Sequence, residues 1–230
     1  MEVILKKIDS KFKNYIKEKY IKIKNILEKE QKKINYINIF HNSWTNSNDC
    51  DELIKHLKNQ YLLDTNKLIT MGFISAPINC DEQFFHIDYD GNTNTYFIPL
   101  IDIDEKNGTE YLEFDNKNYN IDILDKLKIV SNKYLLKNDI INELSKLDIT
   151  PTNYKFKYLN SNKWSLIYLP YYCLHRGRKN IGYTNRVIFQ MIFYKDNICK
   201  YNMPKELYYY DAEIDDEQKE KVLENRKIIN

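Results

Sequence analysis

The stretch Phe84–Phe114, FFHIDYDGNTNTYFIPLIDIDEKNGTEYLEF, alternates short apolar and aromatic segments with Gly, Asn, Asp and Pro. Short segments rich in β-branched and aromatic residues, bounded by turn-forming residues, predict β-strands. The same pattern recurs on both sides of this stretch. The predicted strands are, in chain order, LITMGFIS, EQFFHID, TYFIPLI, EYLEF, YNIDI, YKFKY, WSLIYLP and RVIFQMIFY. Many short strands in succession are typical of a sandwich or a barrel.

Helical patterns flank the strand-rich region. From Val3 to about Lys33, apolar residues recur at helical spacing among lysines and glutamates, which predicts an amphipathic helix with one side on a core. A second helix is predicted from about Cys50 to Gln60, after cap-forming polar residues. The segment Asp122–Leu147 interrupts the strands as a helix or an excursion. The sequence DAEIDDEQKEKVLENRK predicts a solvated C-terminal helix.

The length of the chain indicates one domain. A chain of 230 residues can bury roughly 70–75% of the surface that it exposes when unfolded. We expect a single domain over residues 1–230, with an N-terminal helical region at 1–65, a β core at 66–200 and a C-terminal helical extension at 201–230.

Composition excludes several classes of function. The 35 Lys and Arg residues nearly balance the 33 Asp and Glu residues and are interspersed with them, so no basic face for nucleic acid is indicated. The longest apolar runs are too short to span a bilayer, and the N-terminus lacks a signal-peptide core. The four cysteines are far apart, without a Cys-x-x-Cys pair, which favours reduced thiols. We expect a cytoplasmic protein that binds neither nucleic acid nor membranes.

Three residues form a candidate metal site. The chain has four histidines, and His86 lies two residues before Asp88 after an apolar run. Alternate side chains of a strand share a face, so these two can converge on one point. The candidate for a third partner is His175, which follows the strand WSLIYLP. Two neutral imidazoles and one carboxylate form the facial set that binds non-haem Fe(II) and leaves positions open for small ligands.

Arg186 is a candidate because of its spacing from His175, since an arginine at the start of a strand is by itself more often a salt-bridged residue. It begins the apolar strand RVIFQMIFY, eleven residues after His175. An inward-facing charge there is costly unless it is compensated. A planar guanidinium suits a carboxylate that it can bind through two hydrogen bonds.

These segments resemble the phytanoyl-CoA dioxygenase-like branch of the Fe(II)- and 2-oxoglutarate-dependent dioxygenases. The resemblance covers roughly Met71 to Tyr194 and rests on motifs in the family's order. These are His86 and Asp88, then Pro99-Leu100-Ile101-Asp102 with Asn107-Gly108-Thr109, then His175 with Gly177 and Asn180, and finally Arg186.

The resemblance implies a fold, cofactors and a reaction. The fold would be a double-stranded β-helix, the jelly roll shared with cupins. His86, Asp88 and His175 would bind the iron, and Arg186 would hold the distal carboxylate of 2-oxoglutarate. With O2 as the oxidant, the reaction would hydroxylate an unactivated C–H bond, with succinate and CO2 as co-products.

Two features of the sequence bear on the substrate and on the reaction: a missing motif of the family and the presence of Asp88. The family's Pro-Gly-Ser-His after the Asn-Gly turn is replaced by LEFDNKNYN, which leaves the substrate open. Related halogenases lack the carboxylate that Asp88 supplies, so its presence favours hydroxylation. The family implies a small-molecule substrate, with a protein substrate as the alternative.

Two other classes of function remain open. The first is a cupin-like metal protein, a dioxygenase or an isomerase, that uses the same three ligands without 2-oxoglutarate. The second is a non-enzymatic interaction module in which the long N-terminal helix meets a partner and the β domain is a scaffold.

For several further residues, the sequence indicates positions in the core, on the surface or in loops rather than roles in the metal site. His41 and His56 are expected at core or surface positions, and Arg176 and Arg178 in a solvated loop. Asp102 and Glu110 have no fixed separation that would indicate a hydrolase. The tyrosines near the candidate ligands could line a pocket: Tyr89, Tyr96, Tyr171 and Tyr172. Whether Tyr96 or Phe97 faces inward is left open, because a slip of one residue exchanges the faces of a strand.

Overall fold

A computed structural model describes residues 6–30, 37–40, 48–61, 68–88, 93–115, 123 and 136–194. The helices are α1 (Ser10–Glu30), α2 (Asn48–Tyr61) and α3 (Lys137–Lys146). The first five strands are β1 (Lys6–Lys7), β2 (Ile37–Phe40), β3 (Leu68–Ala76), β4 (Thr93–Pro99) and β5 (Thr109–Phe114). The others are β6 (Tyr154–Tyr158), β7 (Ser165–Leu169), β8 (His175–Gly177) and β9 (Arg186–Tyr194).

Six strands form an antiparallel main sheet in the order β1-β7-β4-β9-β3-β2. Its central strand is β9, which pairs with β4 on one side and β3 on the other. All nine residues of β9 are buried. A strand covered on both faces needs apolar side chains on both, which explains the nearly continuous apolar sequence RVIFQMIFY.

The remaining strands form a minor sheet in the order β6-β5-β8. An isolated bridge between His86 and His175 adds the segment before His86 at the edge of β8. Side chains from both sheets meet in one apolar cluster, which contains Phe97 and Ile188 of the main sheet and Tyr111 of the minor sheet. Two antiparallel sheets around a shared core form a jelly roll, which confirms the predicted fold class.

Helices cover the outer faces of both sheets. On α1, Phe12, Ile16 and Ile23 are buried in the cluster that contains Phe73 and Phe189 of the main sheet. On α3, Ile140 and Leu144 are buried in a second cluster, with Leu112 and Phe114 of β5. The apolar side of the N-terminal helix therefore packs on the β core of its own chain. None of the described helices is both long and apolar enough to cross a membrane.

The first helix begins later than predicted. Lys6 and Lys7 do not belong to it, because they pair with β7 as a short strand. The backbone N–H of Phe12 then donates a hydrogen bond of 2.8 Å to the Asp9 carboxylate, which caps the helix. The second helix lies close to its predicted range, and the excursion predicted at Asp122–Leu147 contains α3. The predicted helix at 201–230 lies outside the described residues, and the domain boundaries stay predictions.

Six of the eight predicted strands coincide with β3, β4, β5, β6, β7 and β9. The segment EQFFHID is not a regular strand, because His86 contributes only the isolated bridge to β8. Apart from Ile123, the segment YNIDI lies outside the described residues. Three short strands, β1, β2 and β8, were not predicted.

The alternation along β4 decides which aromatic side chain faces inward. Phe97 belongs to the cluster between the sheets, whereas Tyr96 packs on the helical side. The Asn107-Gly108 turn does not join two paired strands, because β4 and β5 belong to different sheets. A Cβ atom on Gly108 would lie 2.4 Å from the carbonyl oxygen of Asp104, so the close approach of the backbone explains this glycine.

Candidate metal centre

The fold brings His86, Asp88 and His175 together at the edge of the minor sheet. One potential ligand atom from each residue lies within 4.8 Å of the other two. The Oδ1 atom of Asp88 is 3.6 Å from Nε2 of His86 and 3.8 Å from Nε2 of His175. The centroids of the two imidazole rings are 4.6 Å apart. Among the described residues, no other group of His, Cys, Asp and Glu side chains is close enough to hold a metal ion.

Both histidines are oriented by the same local contact. The Nδ1 atom of His86 is 2.9 Å from the carbonyl oxygen of Phe84, and Nδ1 of His175 is 3.0 Å from that of Cys173. A carbonyl oxygen only accepts hydrogen bonds, so each Nδ1 carries the proton. In each ring Nε2 is thus the nitrogen that faces Asp88 and is left to bind a metal, and metal-binding histidines are commonly oriented by such a contact of the other ring nitrogen.

Asp88 is oriented by a strand of the opposite sheet. The hydroxyl of Thr95 on β4 donates a hydrogen bond of 2.8 Å to Oδ2 of Asp88. This contact leaves Oδ1 facing the two imidazoles. The Asp88 side chain is 16% exposed and that of His175 is 5% exposed, whereas His86 is 37% exposed. The site is therefore closed on the β8 side and accessible beside His86.

Burial and charge set the protonation states. Burial alone would raise the pKa of the Asp88 carboxyl, but His175 and His86 beside it hold that pKa well below its usual range. Burial lowers the pKa of His175, although the charge of Asp88 opposes this. Near neutral pH, Asp88 is therefore ionised and His175 is neutral. These are the forms in which carboxylates and imidazoles bind metals, so the donor set fits a divalent ion such as Fe(II).

Arg186 lies on the inner face of the main sheet and is 1% exposed. Its Nη1 atom donates hydrogen bonds of 2.6 Å and 2.8 Å to the carbonyl oxygens of Asn107 and Gly108. A Cβ atom built on Gly177 would be 2.8 Å from Nη2 of Arg186. The guanidinium is thus held rigidly against β8, two residues beyond His175.

Several residues close to the three candidate ligands or to Arg186 were not predicted from the sequence. Tyr111 on β5 lies directly opposite His175 in the ladder and belongs to the inner cluster. The side chain of Gln83 accepts a hydrogen bond of 2.8 Å from the N–H of Gly177. Thr95 and Tyr111 occupy ordinary strand positions, so no signal in the sequence separates them from the other Thr and Tyr residues.

Several expected roles need correction. Arg176 is not in a solvated loop: it is buried, and two of its nitrogens contact Glu110 at 2.8 Å and 2.6 Å. Arg178 is half-buried, with its guanidinium 4.5 Å from the centre of the Tyr158 ring. Tyr96 does not line the site, because it faces the helices.

The remaining residues lie elsewhere. His56 on α2 contacts the carboxylate of Asp9, away from the candidate metal centre. Tyr171 and Tyr172 are half-buried and pack edge to face after β7. Asp102 is exposed and accepts a hydrogen bond from the N–H of Lys163. Tyr89 and His41 lie outside the described residues.

Neither a protein-family model nor a curated protein matches the sequence. The fold is nevertheless similar to solved structures. The structure of HygX from Streptomyces hygroscopicus with nickel and 2-oxoglutarate bound aligns over 87% of this chain and 84% of its own, with 9% identity and a TM-score of 0.53.

A second similar structure is that of SnoK, described as a non-heme alpha ketoglutarate dependent carbocyclase from nogalamycin biosynthesis. It aligns over 89% of this chain and 87% of its own, with 10% identity and a TM-score of 0.52. At such low identity the likeness shows a shared fold, and the phytanoyl-CoA dioxygenase-like branch stays a prediction.

Proposed function

We propose that this protein is a non-haem Fe(II)- and 2-oxoglutarate-dependent oxygenase. The observation that carries the proposal is the convergence of His86, Asp88 and His175, with their ligand atoms within 4.8 Å of one another, on a jelly roll. Two imidazoles and one carboxylate leave several coordination positions of an iron open for small ligands. The two similar structures support this choice of co-substrate, because HygX has 2-oxoglutarate bound and SnoK is an alpha ketoglutarate dependent enzyme.

Each residue has a defined role in the proposal. His86 and His175 would bind Fe(II) through Nε2, because each Nδ1 donates to a carbonyl oxygen. Asp88 would bind through Oδ1, because Thr95 engages Oδ2. Arg186 would hold the distal carboxylate of 2-oxoglutarate. Its guanidinium is buried and oriented by carbonyl oxygens, which carry no full negative charge.

In this proposal, the protein positions the bound groups and excludes water from the space between the two sheets. When bound, iron with 2-oxoglutarate and O2 supplies the oxidising power for C–H hydroxylation, with succinate and CO2 as co-products. Phe97, Ile188 and their neighbours form an apolar interior between the two sheets. An apolar interior strengthens the attraction between Arg186 and a bound carboxylate, because few water molecules compete for it.

Hydroxylation of a small molecule is the reaction that we propose. Asp88 would supply the carboxylate ligand that related halogenases lack, which supports hydroxylation over halogenation. Because SnoK is described as a carbocyclase, succinate release alone does not identify the product. A mass increase of one oxygen atom in a small-molecule substrate is the result that we expect. The same increase found only in a protein would assign a protein substrate.

The decisive experiment is optical. The purified protein is loaded with Fe(II) without oxygen, 2-oxoglutarate is added, and the weak visible charge-transfer band of the chelated co-substrate is recorded. We expect the band in the wild type, a weaker band in Arg186→Ala and an unchanged band in Arg178→Ala. Arg178 is the matched control, because its guanidinium contacts Tyr158 rather than the interior.

The other outcomes separate the alternatives. Bound iron without the band would favour the cupin-like metal protein that does not use 2-oxoglutarate. Failure to bind iron at all would favour the interaction module. Equal loss of the band in both arginine variants would overturn the role of Arg186 but not the metal site.

A further inference from the structure

Four charged side chains are connected on the face of the minor sheet opposite His175. We call Glu82, Glu110, Lys137 and Arg176 the buried ion network. Arg176 donates hydrogen bonds from Nε and Nη2 to Oε2 of Glu110, at 2.8 Å and 2.6 Å. Its third nitrogen, Nη1, lies 2.6 Å from Oε1 of Glu82. The ammonium of Lys137 lies 2.7 Å from the other oxygen of Glu110.

The two central members of the network are deeply buried. The side chains of Glu110 and Arg176 are 1% and 8% exposed, whereas Lys137 and Glu82 are 36% and 44% exposed. Burial alone would raise the pKa of Glu110, but hydrogen bonds from Lys137 and Arg176 lower it, so this carboxyl is ionised. A buried charge that loses its partner is strongly destabilising.

The network reaches both segments that carry the histidines. Arg176 directly follows His175 in the chain, and Phe85 directly precedes His86. The guanidinium of Arg176 lies 4.7 Å from the centre of the Phe85 ring. Arg176 therefore extends across β8, from Glu110 on β5 to the segment that begins at Glu82 and ends at His86.

The backbone alone joins these segments through few bonds. His86 and His175 exchange two hydrogen bonds of 2.9 Å, and Gln83 donates one of 2.8 Å to Gly177. The strand β8 has only three residues. A ladder this short opens more readily than the long ladders of the main sheet, unless other contacts hold it.

We propose that the buried ion network positions the His86–His175 pair for metal binding, with Arg176 as the residue that connects the two segments. This inference rests on the proposed function, because it concerns the same metal site. The network holds the two histidine segments at a fixed separation from outside the barrel. Lys137 is the first residue of α3, so the docking of that helix is part of the same arrangement.

A purely structural role would have a different signature. Replacing a buried ion pair with apolar side chains of similar volume often preserves or raises stability. A double variant, Glu110→Met with Arg176→Met, therefore removes both deeply buried charges, and the partners that it leaves, Lys137 and Glu82, are 36% and 44% exposed and can be hydrated. If the network only stabilises the fold, this variant behaves like the wild type in every respect.

The experiment compares Arg176→Met with the double variant in the full-length, metal-free protein. We measure the melting temperature, the exchange of the amide hydrogens of His86 and His175, and the affinity for Co(II) by calorimetry. The single variant melts at a lower temperature, and the double variant recovers that loss. In the double variant, both amides still exchange about tenfold faster and Co(II) binds about tenfold more weakly.

Wild-type amide exchange and wild-type Co(II) affinity in a stable double variant would overturn the inference. If the methionine variants do not fold, Glu82→Gln provides the test, because the Glu82 side chain is 44% exposed and a neutral amide there leaves no buried charge on Glu82's side of the pair. Its matched control is Asp115→Asn, which removes the exposed ion pair with Lys155 on β6. Faster exchange at His86 in Glu82→Gln alone supports the inference, and equal exchange in the two variants overturns it.

Failure of the proposed function gives a different result. A wild-type protein that binds neither Co(II) nor Fe(II) has no metal site to position. The exchange of the His86 and His175 amides is measured without metal, so it reports separately on whether the network orders this pair.

Discussion

A hydroxyl group of the main sheet helps to orient the Asp88 carboxylate. Thr95 is 1% exposed and donates to Oδ2 at 2.8 Å. Thr95→Val keeps the shape of the side chain but removes this donor, so the carboxylate can rotate away from the two imidazoles. We expect the affinity for Co(II) to fall about tenfold, which is the usual scale for loss of a hydrogen-bond partner of a metal ligand. Calorimetric titration of the metal-free protein measures it.

Thr95→Ser is the matched control for this prediction. Serine keeps the hydroxyl and loses only a methyl group, so its Co(II) affinity should stay close to that of the wild type. A valine variant that binds Co(II) as tightly as the serine variant would contradict the role of the hydroxyl.

Gly177 leaves space that Arg186 and Gln83 use. A Cβ atom there would be 2.6 Å from Oε1 of Gln83 and 2.8 Å from Nη2 of Arg186. Gly177→Ala therefore displaces the guanidinium, and we expect 2-oxoglutarate to bind at least about tenfold more weakly, because a displaced Arg loses its paired geometry. Titration of the visible charge-transfer band of the iron-loaded protein measures this affinity.

Gly182→Ala provides the comparison. The nearest atom to a Cβ atom at Gly182 is the side-chain oxygen of Asn180, at 3.2 Å, so the affinity for 2-oxoglutarate should change little. A similar loss in both variants would mean that alanine disturbs the loop in general and not Arg186 in particular.

At the scale of single residues, the candidate metal ligands could be predicted from the sequence, but the residues that orient them could not. His86, Asp88 and His175 could be identified because the chain has four histidines and a metal site needs this combination. Thr95 could not, since a threonine in a strand is ordinary. Arg176 was misplaced because polar residues after a strand usually enter solvent, and burial with Glu110 is visible only in three dimensions.

At the scale of the elements, substitutions in the N-terminal helix α1 test whether that helix packs on the β core. Ile16 is fully buried against the main sheet, whereas Ile21 on the same helix is 69% exposed. We expect Ile16→Ala to lower the free energy of unfolding by about 2–5 kcal/mol, through lost burial and the cavity that remains. Urea denaturation measures the change.

Ile21→Ala is the control, and its effect should stay within about 0.5 kcal/mol, as for most surface substitutions. Equal small effects in both variants would mean that α1 does not pack on the sheet. The interaction-module hypothesis would then regain support, because the apolar side of the helix would be available to a partner.

Element prediction succeeded where a strand is long and covered. The sequences of β3 and β9 are apolar on both faces because the sheets and α1 enclose them. It failed for β8, whose sequence His-Arg-Gly has no strand pattern. That strand exists because β5 and the His86 segment pair with it on either side.

In the whole molecule, the candidate metal centre joins the two sheets. His175 belongs to the minor sheet and His86 is bridged to it, whereas Asp88 is held by Thr95 of the main sheet. A bound ion would therefore act as a cross-link between the layers. His86 and His175 are far apart in the sequence, so the scarcity of histidine and the order of the family's motifs could associate them there, whereas their contact is visible only in the fold.

This arrangement predicts that metal binding stabilises the entire fold. A ligand that binds only the folded state raises the free energy of unfolding by about 2.7 kcal/mol at a concentration of 100 times its Kd. We expect the melting temperature to rise with Co(II) and to return to its starting value when a chelator is added. The increase should disappear in His175→Ala and persist in His56→Ala, because His56 contacts Asp9 on the far side of the main sheet from the site. If His175→Ala kept the increase, the stabilising ion would be bound elsewhere, and the cross-link between the sheets would not be its cause.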